Sequence, residues 1–247
     1  MSDMVHIAVL GSLRIRGSQT APELRGQAAE LLGLLAVERA QGGDGARDRL
    51  AGLLWPDIGQ AEARRRLAVA LFRLRKTLGP LESILQISPD TVTLRDVTID
   101  AEAFEAELAT AVLPRLSEIL DTYQGDALES FSAEWLNAPR ARWRTACLTA
   151  LPRLVSLLEA AGDADRALAW ARRWQTLEPL DDAACAAQMR LFWRARRHGE
   201  AQRCYDVFSR VLRQELNAEP DGELRQLARA IARENEAGRR ADRSDAL

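Results

Sequence analysis

Residues 61–78 read Ala-Glu-Ala-Arg-Arg-Arg-Leu-Ala-Val-Ala-Leu-Phe-Arg-Leu-Arg-Lys-Thr-Leu, and this stretch decides the fold. Leu67, Leu71, Leu74 and Leu78 recur at i, i+4, i+7 and i+11, the spacing of one narrow apolar stripe on a helix. The other face carries Arg65, Arg66, Val69, Arg73 and Lys76, with Arg64 and Arg75 at its edges. Gly79-Pro80 closes the helix. A rod of about 18 residues is roughly 27 Å long, enough to cross the major groove of a duplex and still pack at one end.

The flanks fit around this helix. Upstream, Arg47 to Trp55 reads as a short helix ended by Pro56-Asp57, and Leu24 to Arg39 as a longer one stopped by Gln41-Gly42-Gly43-Asp44-Gly45. At the start of the chain, His6–Leu10 and Leu13–Arg16 are short apolar runs around Gly11-Ser12, a tight pair of strands. Downstream, Ile84–Ile87 and Thr91–Leu94 alternate across Ser88-Pro89-Asp90, the pattern of a β-hairpin. Strands, three helices and a terminal hairpin make a winged helix-turn-helix. Beyond Asp100 only helical segments are expected.

A chain of 247 residues suggests two compact units. Basic character rests on guanidinium groups, since Lys76 is the sole lysine among 34 basic residues. The net charge of −2 conceals an asymmetry: residues 1–95 carry 13 basic against 10 acidic side chains, and residues 96–247 carry 21 against 26. A basic front and an acidic back suit a nucleic-acid partner for the front half alone.

The back half repeats. A shift of 34 residues places Ala150 on Ala184, Val155 on Met189, Leu157 on Leu191, Leu158 on Phe192, Ala161 on Ala195, Ala167 on Ala201, Trp174 on Phe208 and Leu177 on Val211. A two-helix unit of that length is the tetratricopeptide (TPR) spacing. Two units are too few to stand alone, so helices over 101–120 and 221–236 are expected to cap them. The expected organisation is an α+β winged helix-turn-helix domain over 1–97, an all-α tetratricopeptide-like domain over 98–236, and a flexible polar tail over 237–247.

The order of these elements, together with Leu53-Leu54-Trp55-Pro56-Asp57, Arg73-Leu74-Arg75-Lys76, Tyr123-Gln124-Gly125-Asp126 and Glu215-Leu216-Asn217-Ala218-Glu219-Pro220, resembles the Streptomyces antibiotic regulatory protein (SARP) family. Members join an OmpR-type winged helix to a bacterial transcriptional activation domain of tetratricopeptide type. The resemblance implies that the third helix enters the major groove, the wing touches adjacent backbone and the second domain recruits RNA polymerase. By position, the DNA-facing residues are Arg64, Arg65, Arg66, Val69, Arg73, Arg75 and Lys76 on the helix, with Thr91 and Thr93 on the wing. Binding to promoter direct repeats as two copies, with self-association on DNA, is the expected mode. In this chain a Gly-rich linker replaces the family's β-branched connector, and Ala46 stands where a Ser or Thr cap is common, which predicts a weak start to the second helix.

Other chemistries find little footing. An arginine run is by itself more often a solvated helix face than a binding site, and it is the fold order that reverses those odds. The nearest rival is a protein-binding scaffold with a vestigial DNA-binding domain. Lys76 follows no Gly-rich turn, so a Walker A loop is excluded, and no Gly-x-Ser-x-Gly elbow occurs. His6 and His198 lack a second histidine nearby, and Cys147, Cys185 and Cys204 show no metal or disulfide spacing. Asp181-Asp182 after Pro179-Leu180 suits a helix start better than an acid–base pair. The tryptophans, Trp55 among them, read as packing residues. No enzyme, cofactor or metal is expected. With no signal peptide and no apolar run of about 18 residues, neither a membrane partner nor export is expected, and the location expected is the cytoplasm.

Overall fold

The computed structural model describes residues 4–17 and 22–244. Contacts group the chain into two units, Met1–Cys147 and Leu148–Leu247. The boundary expected at 97/98 lies inside the first unit.

The first unit begins with β1 (Val5–Ala8), which pairs antiparallel with β2 (Arg14–Arg16) in the register Ile7 to Ile15. Three helices follow: α1 (Gly26–Ala40), α2 (Arg47–Leu54) and α3 (Gln60–Leu78). Gly79 adopts φ +54 at the end of α3, a conformation that glycine reaches without steric cost. A 3-10 turn then leads into β3 (Leu85–Ile87), which pairs antiparallel with β4 (Val92–Leu94). The succession of strands, helices and hairpin is the expected one.

A strand missed by the sequence reading comes next. β5 (Val97–Ile99) runs parallel to β1 and completes a sheet of order β2-β1-β5. Unlike β2, β3 and β4, which are as short, it has no hairpin partner next to it in the chain to mark it, and Asp96, at φ 54, provides the bend after β4 that frees it. The Asp100 carboxylate then accepts two successive backbone N–H groups beyond the end of β1, from Val9 (2.8 Å) and Leu10 (3.1 Å). Burial raises the pKa of this carboxyl above its ordinary value, outweighing the backbone hydrogen bonds and His6, which lower it.

Arg39 at the end of α1 ties the two sheets together. Its guanidinium donates to the Leu94 carbonyl (2.7 Å), the Val97 carbonyl (3.0 Å) and Glu102 (2.6 Å), while Glu102 also accepts the Ile99 N–H. One residue earlier, buried Glu38 accepts a forked pair from Arg49 of α2 at 2.9 and 3.1 Å. A carboxylate so enclosed is tolerable because it is paired.

The Gly-rich connector does the work of a strand. The Gly45 carbonyl accepts the Val92 N–H at 2.8 Å, Ala46 bridges Thr91, and the Arg47 N–H reaches the Asp90 carbonyl at 2.9 Å. Ala46 gives α2 no side-chain cap, as expected, yet the Arg47 N–H at the first position of the helix is satisfied by the hairpin. Gly45 is required here: it sits at φ +69, and a Cβ would fall 2.1 Å from the Val92 carbonyl oxygen.

Past β5, the single helix expected over 101–120 is two, α4 (Phe104–Thr110) and α5 (Arg115–Thr122). Pro114 disfavours helical geometry at the residue before it and splits the pair. The segment after α5 folds back beside β1: Gln124 N–H bonds the Leu10 carbonyl at 3.0 Å, and Leu128 N–H bonds that of Val9 at 2.9 Å. Tyr123 is buried, stacks on Phe104 at 6.0 Å and donates to Asp126 at 3.1 Å. Leu128 in turn covers the bare Cα of Gly33 in α1. These contacts explain why the first unit extends well beyond the hairpin. It ends within α6 (Asn137–Ala160).

The second unit is all helix: the end of α6, then α7 (Ala164–Leu177), α8 (Asp182–Arg194), α9 (His198–Leu216) and α10 (Gly222–Ser244). α9 starts 34 residues after α7, in step with the sequence period. The matched positions Ala150 and Ala184, Val155 and Met189, Leu158 and Phe192, Ala167 and Ala201, and Trp174 and Phe208 are buried, whereas Leu157, Leu177 and Val211 are half-buried and Ala161 and Ala195, at helix ends, are exposed. Asp181 caps α8, accepting the Ala183 N–H at 2.8 Å and the Trp174 indole N–H at 2.9 Å. Trp143, Trp170 and Trp174 are buried and Trp55, Trp135 and Trp193 half-buried, as packing residues should be. The three cysteines are free thiols, with Cys185 Sγ 3.8 Å from Cys204 Sγ. The segment expected as a tail from 237 belongs to α10 as far as Ser244, and 245–247 lie outside the described residues.

Two measurements check this account. Gly45→Ala should destabilise the protein by at least ~1–3 kcal/mol in urea unfolding, because strain at positive φ and the collision with Val92 add; a change within about 0.5 kcal/mol would contradict the connector's role. In a carboxyl-detected NMR titration, Asp100 should titrate above an ordinary Asp. Its protonation-linked contribution to stability is full below the ordinary value and declines as pH rises through the raised one. Titration at or below the ordinary value would show that burial is not the dominant effect.

Candidate nucleic-acid interface

α3 is held by one edge. Ala63, Leu67, Ala70, Leu71, Leu74 and Leu78 are all buried, and the helix packs against α1 and α2. On the opposite side Arg64, Arg65, Arg66, Val69, Arg73, Arg75 and Lys76 are exposed, with Glu62 half-buried among them. The seven helix positions expected to face DNA therefore share one solvent-facing surface.

Their electrostatic states differ. Arg64 forks onto Asp48 of α2, which also accepts from Gln60 at 3.1 Å. The hydrogen bond from Arg64 holds the Asp48 carboxyl below its ordinary pKa. Arg65 and Arg66 share a single carboxylate, Glu62, at 3.3 and 3.2 Å, and Arg75 meets Glu82 at 2.8 Å. Arg73 and Lys76 have no ion-pair partner among the described residues. Exposed pairs of this kind are worth little in water, so a polyanion can compete for Arg65, Arg66 and Arg75. Arg73 and Lys76 need no partner displaced.

The hairpin positions are less free than expected. The Thr91 hydroxyl lies 2.7 Å from that of Ser88, and the Ser88 hydroxyl also accepts the Thr91 N–H at 3.1 Å, which closes the turn. Thr93 is half-buried, with its methyl group against Gly45. Pro89 and Asp90 are the exposed residues at the tip.

Two residues that the sequence reading passed over lie on this surface. Arg47 donates to the Ser88 carbonyl at 3.2 Å and lines a concavity of about 520 Å³ with Arg64, Asp48 and Pro89. Only the backbone pairing of the connector with β4 brings it there. Phe72 is the other. At 70 % exposure it is the most exposed large apolar residue, and Val69, one turn away, is 49 % exposed. Position 72 lies seven residues after Arg65, on the charged side of the helical wheel, so the spacing alone could have found it.

The second unit has a groove of about 470 Å³ between α7, α8 and α9, walled by Phe192, Val207, Phe208 and Val211 with Arg172 and Arg203 among its polar residues. Arg172 and Arg197 lie over Phe192, 5.7 and 4.9 Å from the ring centre. Groups of three or more His, Cys, Asp or Glu that could hold a metal ion do not occur among the described residues, where no helix is long and apolar enough to cross a membrane either.

Residues 91–232 match the family described as Bacterial transcriptional activator domain. Among solved structures, Mycobacterium tuberculosis EmbR, determined in complex with a low-affinity phosphopeptide, superposes with a TM-score of 0.68 at 18% identity. The superposition covers 94% of this chain and 66% of that one, so this chain spans somewhat under two thirds of EmbR's length. No curated protein matches the sequence.

The two faces of α3 should respond oppositely to mutation. Arg65→Ala, Arg66→Ala and Arg73→Ala should leave the urea midpoint unchanged, while Leu67→Ala or Leu74→Ala should cost ~2–5 kcal/mol. Arginine variants as destabilising as the leucine variants would mean that the charged face is structural.

Proposed function

Since the chain belongs to the bacterial transcriptional activator domain family, we propose that it is a sequence-specific DNA-binding transcriptional activator and not an enzyme. Residues 1–97 act as a winged helix-turn-helix, and residues 98–236, with their tetratricopeptide-like hairpins, meet protein partners including RNA polymerase. The observation that carries the reading is α3 itself, whose leucines are buried and whose cationic face is open, with Arg73 and Lys76 unpaired among the described residues.

The physical account follows from that face. α3 lies in the major groove, where arginine forks match guanine edges and phosphates alike. Arg73 and Lys76 approach without first breaking an ion pair; Arg65 and Arg66 exchange Glu62 for the duplex. Arg64, pinned to Asp48, is held in one orientation and acts with Arg47 on the backbone beside the hairpin. The hairpin contributes through its tip and backbone more than through the Thr91 hydroxyl, which the turn already uses. Two copies on direct repeats, in contact with each other, set the second units beside polymerase. The groove between α7, α8 and α9 offers the apolar surface that a protein partner requires.

Binding to promoter fragments measured across salt concentrations tests the proposal. Affinity should fall steeply with salt, and promoter DNA should exceed random duplex. Arg73→Ala should either weaken all sequences and lower the salt slope by about one, as a phosphate contact does, or cost ~1–3 kcal/mol at one base position, as a base contact does. Equal binding to promoter and random DNA, with both Arg66→Ala and Arg73→Ala silent, would overturn it.

A further inference from the structure

The open face of α3 is not uniformly charged. Val69 and Phe72 are three residues apart, so their side chains are neighbours on the helix surface, and both stand in solvent, Phe72 at 70 % exposure. Four cations surround them: Arg65 four residues before Val69, Arg66 three before it, Arg73 four after it and Lys76 four after Phe72. Large exposed apolar side chains on a helix otherwise anchored by buried leucines add nothing to the fold, and in water they carry a hydration cost. An apolar pair framed by guanidinium groups calls for a ligand that is anionic at its edges and apolar at its centre.

The major groove has that character. Its walls are phosphates, and the only apolar group it displays on any base edge is the C5-methyl of thymine, for which an aromatic or aliphatic side chain is the matching contact. We propose that Val69 and Phe72 read thymine methyl groups, so that the operator contains A·T pairs at fixed positions between the phosphates gripped by Arg65, Arg66, Arg73 and Lys76. The proposal rests on the DNA-binding reading and deepens it: the charged residues supply affinity and register, and the apolar pair supplies part of the sequence choice. Cytosine at the same positions offers a polar amino group with no methyl, which leaves the Phe72 ring without its partner.

Replacing thymine by deoxyuridine removes the methyl group and nothing else from the groove edge, so the test can be made on the DNA with the protein intact. Duplexes selected by the full chain from a random pool are resynthesised with each thymine replaced in turn by deoxyuridine, and binding is measured for the wild type, Phe72→Ala and Val69→Ala. At one or two positions per half-site the wild type should lose about three- to ten-fold in affinity. There, Phe72→Ala or Val69→Ala should bind the thymine and deoxyuridine duplexes equally. Both residues are exposed, so loss of folding is not expected, and circular dichroism of each variant checks it. If a sequence is enriched but no replacement matters, or the cost persists in both variants, the methyl-reading inference is overturned while DNA binding stands. If no sequence is enriched, the DNA-binding reading falls and the inference with it.

Discussion

Burial of one leucine edge of α3 against α1 and α2 governs the rest of the molecule. A helix fixed along a single stripe has no freedom to roll about its axis, because rotation by one residue would trade Leu67, Leu71 and Leu74 for Arg66, Ala70 and Arg73 in one direction, or for Ala68, Phe72 and Arg75 in the other. Packing therefore decides which side chains meet solvent. The positive surface is a consequence of hydrophobic burial, with the charges displayed by a core they do not help to build.

Polar contacts then place the hairpin relative to that surface. Arg39 binds the end of β4 and the start of β5 through carbonyl oxygens, Glu38 holds α2 through Arg49, and Gly45 brings the connector within hydrogen-bonding distance of Val92. Each of these depends on a residue that can make several bonds at once or adopt a conformation closed to others. Together they set the hairpin tip beside the start of α2 and bring Arg47 to the concavity that Arg64 lines. A connector rich in glycine reproduces the strand pairing that a β-branched one would make, since the backbone alone forms the bonds.

The parts of the fold visible in sequence were those with long periodicity and those bracketed by turn or breaker residues, such as the two strand pairs and α2. α1, α3 and the 34-residue repeat declare themselves over many residues, and the observed bounds of α1 and α3 lie close to those expected. β5 did not, because unlike the equally short β2, β3 and β4 it lacks a hairpin partner beside it and pairs with β1, far away in the chain. The division between α4 and α5 was signalled by Pro114 but overridden by the helical run around it. On the candidate interface, the arginines were legible as a run, whereas Phe72 was passed over although its spacing from Arg65 puts it on the charged face. The restraint on Thr91 is local, set by Ser88 three residues before it, whereas the position of Arg47 comes from the pairing of the connector with the hairpin, which no local pattern records.

The second unit answers to different constraints. Small residues such as Ala167 and Ala201 are buried where helices approach, and Asp181 satisfies both a helix start and an indole N–H. The unit is held by helix packing and presents an apolar groove in place of a charged rod, a contrast suited to a protein partner. The central claim, that the exposed face of α3 is what meets a duplex, is tested most directly by backbone amide shifts of the full chain, recorded by TROSY NMR with and without a selected DNA site. The account predicts that the largest changes fall between Arg65 and Lys76, with smaller ones at residues 88–91. Saturating DNA that shifts other segments and leaves α3 unmoved would contradict it.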